Sequence, residues 1–211
     1  MKIIDQSWNW VQLPRDPLLI TEMAGRTCYK SEDKITDDSA KKFVKSIIKR
    51  GHETVIEHVS ATVRIITNRG VTHELVRHRL SSFSQESTRY VKYGDDMEFI
   101  KPVWWKDWSR EEQIQWEDSM LVSSQKYCNL IDLGSRPEQA REVLPNSLKT
   151  EIVMTANMRE WRHIFKLRCS QKAHPQIRMI MLDMLNEFHE EFPGMFDDLA
   201  EKYLPNKCKV D

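Results

Sequence analysis

Arg77-His78-Arg79-Leu80-Ser81-Ser82-Phe83-Ser84-Gln85-Glu86-Ser87-Thr88-Arg89-Tyr90 is the most informative stretch of the chain. From Arg64 to Arg89 five arginines stand against two glutamates, Glu74 and Glu86, although the whole chain has a formal net charge of zero. Arginine makes bidentate, charge-assisted hydrogen bonds to phosphate, and Ser and Thr hydroxyls can complete the remaining phosphate lone pairs. The stretch reads as equipment for one or two phosphorylated ligands. A solvated basic helix end followed by a Ser-rich loop is the plainer reading. The interleaved Phe83 and Tyr90 fit that reading less well. They would also suit a groove for single-stranded nucleic acid, against which the zero net charge counts.

Working outward, residues 59–67 are rich in β-branched types and predict a strand. Gly70 breaks it, and a short helix is expected to follow through Arg79. Upstream, Thr36-Asp37-Asp38-Ser39 looks like a helix start with acids in the first turn. Phe43, Val44, Ile47 and Ile48 then share one face, and Gly51 is the stop. Downstream, a helix is expected from Ser109 to about Leu133, a short strand over Thr150–Thr155 and a helix over Arg159–Arg168. The clearest helix carries Ile177, Ile180, Met181, Met184, Leu185 and Phe188 on one stripe. Its methionines read as core. Mixed helices and few strands predict one α+β domain over residues 1–211.

Several classes are disfavoured. The six glycines are too scattered for G-x-G-x-x-G or a P-loop, so phosphates must be held by arginines. His52-Glu53-Thr54-Val55-Ile56-Glu57-His58 only superficially resembles a zinc helix, because its histidines are six apart, not four; no metal is expected. Cys28, Cys128, Cys169 and Cys208 form no C-x-x-C pair and read as reduced thiols. No apolar run approaches the ~20 residues of a membrane span, and Met1-Lys2-Ile3-Ile4-Asp5 lacks the apolar stretch of a signal peptide. A cytoplasmic protein is expected.

Arg77-His78-Arg79, seven residues, then Ser87 matches the R-H-R-x7-S signature of flavin-dependent thymidylate synthases. Arg89-Tyr90 continues the resemblance. Gly25-Arg26-Thr27-Cys28-Tyr29, Gly51-His52-Glu53-Thr54 and Glu57-His58 resemble the upstream blocks of that family. Arg141 with Leu144-Pro145 is similar to its middle block. Asn157 to His163, Leu167-Arg168 and Ala173-His174-Pro175-Gln176 resemble its C-terminal block. The chain departs at Glu74, where many members have Gln, at Ser84-Gln85 in place of Asn-Glu, and at Thr88 in place of Gly. His163 stands where some members have Asn, and Lys172 where some have His.

The resemblance implies a homotetramer built from this α+β fold, with a small mixed or antiparallel sheet flanked by helices and sites shared between subunits. It implies conversion of dUMP to dTMP with 5,10-methylenetetrahydrofolate as carbon donor and FAD reduced by NADPH, without a protein nucleophile. By the same resemblance, FAD contacts fall on His52, Thr54, Arg77, His78, Arg79, Gln85, Asn157, Arg159 and His163. The dUMP contacts fall on Glu74, Arg77, Gln85, Ser87, Thr88, Arg89, Arg141 and Arg168, with Arg168 the catalytic group. C5 of uracil is a weak nucleophile, and a fixed guanidinium near N3 and O4 would stabilise negative charge on the ring. Ser87 lies in no G-x-S-x-G elbow, which agrees with a binding role. For His52 and Arg168 there are plainer readings: a buried, hydrogen-bonded core histidine and a helix-end cation. Two other functions stay open: a single-stranded nucleic-acid binding protein, and a cysteine-nucleophile pyrimidine methyltransferase using Cys169, the thiol beside Arg168. Trp104, Trp105 and Trp108 could stack on a ligand but read better as packing.

Overall fold

The computed structural model describes residues 1–204; Cys208 lies outside them. In chain order the elements are β1 (Lys2–Ile4), β2 (Ser7–Gln12), α1 (Pro17–Thr27), α2 (Ser39–Lys49), a 3-10 turn over Glu53–His58, β3 (Ser60–Asn68), α3 (Arg69–Leu75) and β4 (Ser81–Gln85). They continue with β5 (Glu98–Ile100), α4 (Arg110–Asp132), α5 (Pro137–Ala140), β6 (Lys149–Asn157), α6 (Met158–Arg168), α7 (Pro175–Glu191) and α8 (Asp197–Tyr203). The fold is α+β. A four-stranded sheet has the order β2-β3-β6-β4, and β1 pairs in parallel with β5, Ile3 opposite Phe99. No described helix is long and apolar enough to cross a membrane.

The chain forms two compact units that interleave in sequence. One takes residues 1–9, 64–77 and 83–153; the other takes 10–63, 78–82 and 154 onward. The first unit is centred on Met97, Phe99, Met120, Tyr127, Ala140 and Leu148, all buried. Its long helix α4 starts as expected at Ser109, whose hydroxyl accepts the Glu112 N–H while Glu112 reaches back to the Ser109 N–H. Trp105 packs edge-on against Trp116 and also touches the Trp108 ring.

The second unit is held by aromatics. Trp161 and Phe165 of α6 meet Phe188 of α7, and Phe192 and Phe196 complete the cluster. The six apolar residues of the expected α7 stripe are all buried. The α2 face behaves as expected at Val44 and Ile47, both buried, and Gly51 ends the segment at φ 73°, where glycine is favoured. Gly25 of α1 allows α2 to approach, since a Cβ there would fall 2.5 Å from the Phe43 ring.

Three local expectations are corrected. The α2 helix starts at Ser39, so Asp37 and Asp38 precede its first turn. The Ser39 hydroxyl donates instead to the buried Glu22 carboxylate at 2.7 Å. The α3 helix starts one residue before Gly70, because the Asn68 side chain caps it through the Val71 N–H. It ends at Leu75, so Arg77, His78 and Arg79 lie beyond it. Ser81–Gln85, read as loop, is a strand at the sheet edge.

Candidate active site

In the second unit α6 presents two faces with different tasks. Its start is capped by Asn157, whose side-chain oxygen accepts the Glu160 N–H at 2.9 Å. Trp161, Ile164 and Phe165 are fully buried and fix the helix in the aromatic core. Asn157, Arg159, Glu160, His163 and Lys166 line a cavity of about 600 Å³ together with Leu80, Glu53 and Glu57. Arg159 pairs with Glu57, and Lys166 lies 3.3 Å from Glu53. The cations of this cavity are therefore already balanced by acids of the 3-10 turn. Three of the expected flavin contacts, Asn157, Arg159 and His163, thus share one cavity. His52 and Thr54 sit at the start of the 3-10 turn and are exposed, so His52 is not the buried core histidine of the alternative reading. Arg79 is also exposed.

Behind the cavity wall sits His78, 4% exposed. Arg168, from the last turn of α6, donates its Nε–H to His78 Nε2 at 3.0 Å. His78 Nδ1 lies 3.5 Å from Glu160 Oε1, and the His163 ring is edge-on at 6.0 Å. Burial, then the charges of Arg168 and His163, push the His78 imidazole down to about 4, so it is neutral near pH 7. Burial pushes the Glu160 carboxyl up, partly offset by His163. His78, Glu160 and His163 bring ligand-type atoms within 4.8 Å of one another. Such a set could accept a divalent ion, and it owes nothing to the His52–His58 stretch from which metal binding was judged. In the fold, however, His78 is engaged with the Arg168 guanidinium. Glu160, Glu53, Glu57 and Lys166 were missed from sequence as site residues; the i, i+3 spacing of Glu160 and His163 on α6 was the available signal.

In the first unit, four residues assigned to dUMP lie close to one another. Thr88, 5% exposed, accepts from Arg141 Nη1 at 3.5 Å. The Ser87 hydroxyl accepts the Arg89 N–H at 3.3 Å, and the Ser87 carbonyl accepts from Tyr90 and Val91. Arg89 lies over the Tyr90 ring and pairs with Glu138 at 3.0 Å. Gln85 donates to Thr72 and Thr150, which fixes its amide. Glu74 is half-buried on α3, and Arg77 is exposed just past that helix. The arginines of Arg64–Arg89 are partly paired in the fold, while Lys149 and Arg136 bring further cations onto the same acids. Glu151 pairs with Arg64 and Glu138 with Arg89, and both acids lie outside the stretch. Arg77 and Gln85, expected to serve both ligands, belong to the first unit, and Arg168 to the second.

An α+β chain that sets an Arg-His pair beside a polar cavity and carries a Ser/Thr/Arg cluster in its other unit has the parts of a nucleotide-handling enzyme. The family model described as thymidylate synthase complementing protein matches residues 11–194. A flavin-dependent thymidylate synthase of Geobacter sulfurreducens is 35% identical over 201 residues, covering 92% of this chain and 86% of that protein. One from Corynebacterium diphtheriae is 32% identical, covering 93% of this chain and 84% of its own length. The crystal structure of a UMP/dUMP methylase, PolB from Streptomyces cacaoi, bound with 5-Br dUMP, superposes with a TM-score of 0.81 at 23% identity, over 96% of this chain and 98% of that one; it supports the fold. The chain belongs to the flavin-dependent thymidylate synthase family.

Proposed function

We propose that this protein methylates C5 of dUMP with the carbon of 5,10-methylenetetrahydrofolate and FAD reduced by NADPH, as a cytoplasmic homotetramer of the single 1–211 domain. One observation carries the reading furthest. His78 of the R-H-R motif and Arg168 of the Leu-Arg block are 90 residues apart in sequence and hydrogen-bonded in the fold. Two motif blocks that the resemblance assigns to one reaction thus meet.

The residues of the second unit fit a flavin. Leu80, 77% exposed, would offer apolar surface to a bound flavin, and Asn157, Arg159 and His163 of the same cavity would offer it polar groups. When bound, the flavin supplies the reducing equivalents. The chain's own residues do the rest. Arg77, His78, Arg79, Gln85, His52 and Thr54 are the further residues that would hold FAD. Glu74, Arg77, Gln85, Ser87, Thr88, Arg89 and Arg141 hold the nucleotide, and Arg168 stabilises charge on the uracil. An absorption spectrum of the pure protein tests this. A flavin band, with light scattering near four chains of 25.1 kDa, is the expected result. A colourless protein that takes up no added FAD overturns it and favours the nucleic-acid binding reading.

Thiol chemistry is disfavoured by the structure. Cys169 is fully buried, and burial pushes its thiol up to about 12, against a smaller lowering by Arg178. Thiolate is the nucleophilic form, and almost none is present at neutral pH. Cys169→Ser is therefore expected to retain dTMP formation within about threefold, the effect of a small buried substitution. Loss of all turnover in a folded variant would reinstate the thiol.

A further inference from the structure

The hydrogen bond from Arg168 Nε to His78 Nε2 reveals the state of the imidazole. A guanidinium has donors only, so Nε2 must offer its lone pair. A neutral imidazole has one proton, which therefore resides on Nδ1. That nitrogen faces Glu160 Oε1 at 3.5 Å. His78 is 4% exposed, so bulk water is a poor substitute for Glu160 as its partner. Glu160 is itself held in place, because its backbone N–H is bonded to the Asn157 cap.

We propose that Glu160 is a positioning residue for Arg168: its side-chain oxygen selects the Nδ1–H tautomer of His78, and that tautomer makes Nε2 the acceptor that fixes the guanidinium. The inference rests on the reading of Arg168 as the group facing uracil. The chain Glu160–His78–Arg168 joins a helix start, a turn after α3 and a helix end, all within the second unit. If the acceptor at 160 were lost, the imidazole proton could move to Nε2. Two donors would then face each other, and Arg168 would leave its position.

The test compares Glu160→Ala and Glu160→Gln in the full-length, flavin-loaded protein. Glu160→Ala is expected to lower kcat for dTMP formation by about ten- to a hundredfold, the scale of a misplaced catalytic group. The KM for dUMP should change less than kcat. Glu160→Gln keeps a side-chain acceptor and should recover most of the rate. A merely structural acid would not produce that split. Nitrogen-15 spectra of histidine-labelled protein without dUMP give a second readout. They should report the Nδ1–H tautomer at His78 in the unsubstituted protein and a shift towards Nε2–H in Glu160→Ala. An Nε2–H tautomer in the unsubstituted protein overturns the proposal. So does a Glu160→Ala variant at full rate, or a Glu160→Gln variant as slow as Glu160→Ala. The tautomer reading involves no turnover. If the unsubstituted protein makes no dTMP, the functional reading fails, and the spectra still decide the relay by themselves.

Discussion

Arg168→Ala is expected to lower the methylation of dUMP by on the order of a hundredfold or more, the cost typical of removing one preorganised charge-stabilising donor. NADPH should still reduce the flavin near the normal rate in the absence of dUMP. The expectation follows from how Arg168 is held. It sits in the last turn of α6, whose Trp161, Ile164 and Phe165 are locked in the aromatic core. Its Nε is tied to His78 at 3.0 Å, which sets the plane of the guanidinium. A group held this way has little reorganisation to undergo as charge develops. The nucleophilic form of uracil carries negative charge across N3 and its carbonyl oxygens, so the cation favours the transition state over the resting ring. Arg168→Lys should recover only part, because a point charge cannot reproduce the planar fork. Stopped-flow measurement of the two half-reactions separates the roles. A variant that loses flavin reduction but methylates normally once pre-reduced would show that Arg168 serves the flavin.

The second large effect is on stability. Arg162→Ala should destabilise the protein by about 3 kcal/mol, the lower end for breaking a buried ion pair. Arg162 is 1% exposed, one of the most deeply buried charges among the described residues. Its Nη1 and Nη2 form a fork on Asp198 at 2.7 and 2.8 Å, its Nε bonds Glu53 at 3.1 Å, and it also donates to the Met195 carbonyl. One guanidinium thus joins α6 to α8 and to the 3-10 turn that forms one wall of the cavity. Removing it leaves Glu53 near the interior without this partner and opens a void. The lower end of the range applies because the Asp198 side chain is half exposed and water can partly replace the arginine there. The shift should show as a lower urea midpoint at unchanged slope.

The same site predicts a pH dependence. Burial would raise Asp198, but the hydrogen bonds and charge of Arg162, with Lys166 adding to them, outweigh it and hold the carboxyl below its ordinary value. A carboxylate depressed in the folded state contributes stability above its unfolded pKa of about 4, and that contribution is lost as pH falls through the lower folded value. The gap between the unsubstituted protein and Arg162→Ala should therefore narrow in acid. A midpoint that does not move at pH 7, or a gap that widens below pH 4, would show that the fork contributes nothing net, as exposed pairs often do.

Local pattern alone was enough to read much of the fold. The α7 stripe is buried at each of its six positions because period-3.6 burial needs no partner to be recognised. The strands expected over 59–67 and Thr150–Thr155 are the cores of β3 and β6, where β-branched residues carry the signal. The motif blocks were legible for the same reason: they are contiguous in sequence. Ser81–Gln85 was not, because a Ser-rich segment has weak strand preference and becomes β4 only when β6 offers its edge. The Arg69–Leu75 boundary depended on one capping side chain, Asn68.

Only the tertiary structure decided the site. His78 lies 90 residues from Arg168 in the chain, and no local pattern connects them. Glu160 is one of several charged residues on α6, and only folding buries it opposite His78. Sequence names Arg64–Arg89 as positively charged, but Glu138 and Glu151 reach Arg89 and Arg64 only when strands and helices pack. Residue type and periodicity are local properties and are written in the chain. The protonation, pairing and orientation of a charged group depend on its neighbours in space and on exclusion of water, and those exist only in the folded state.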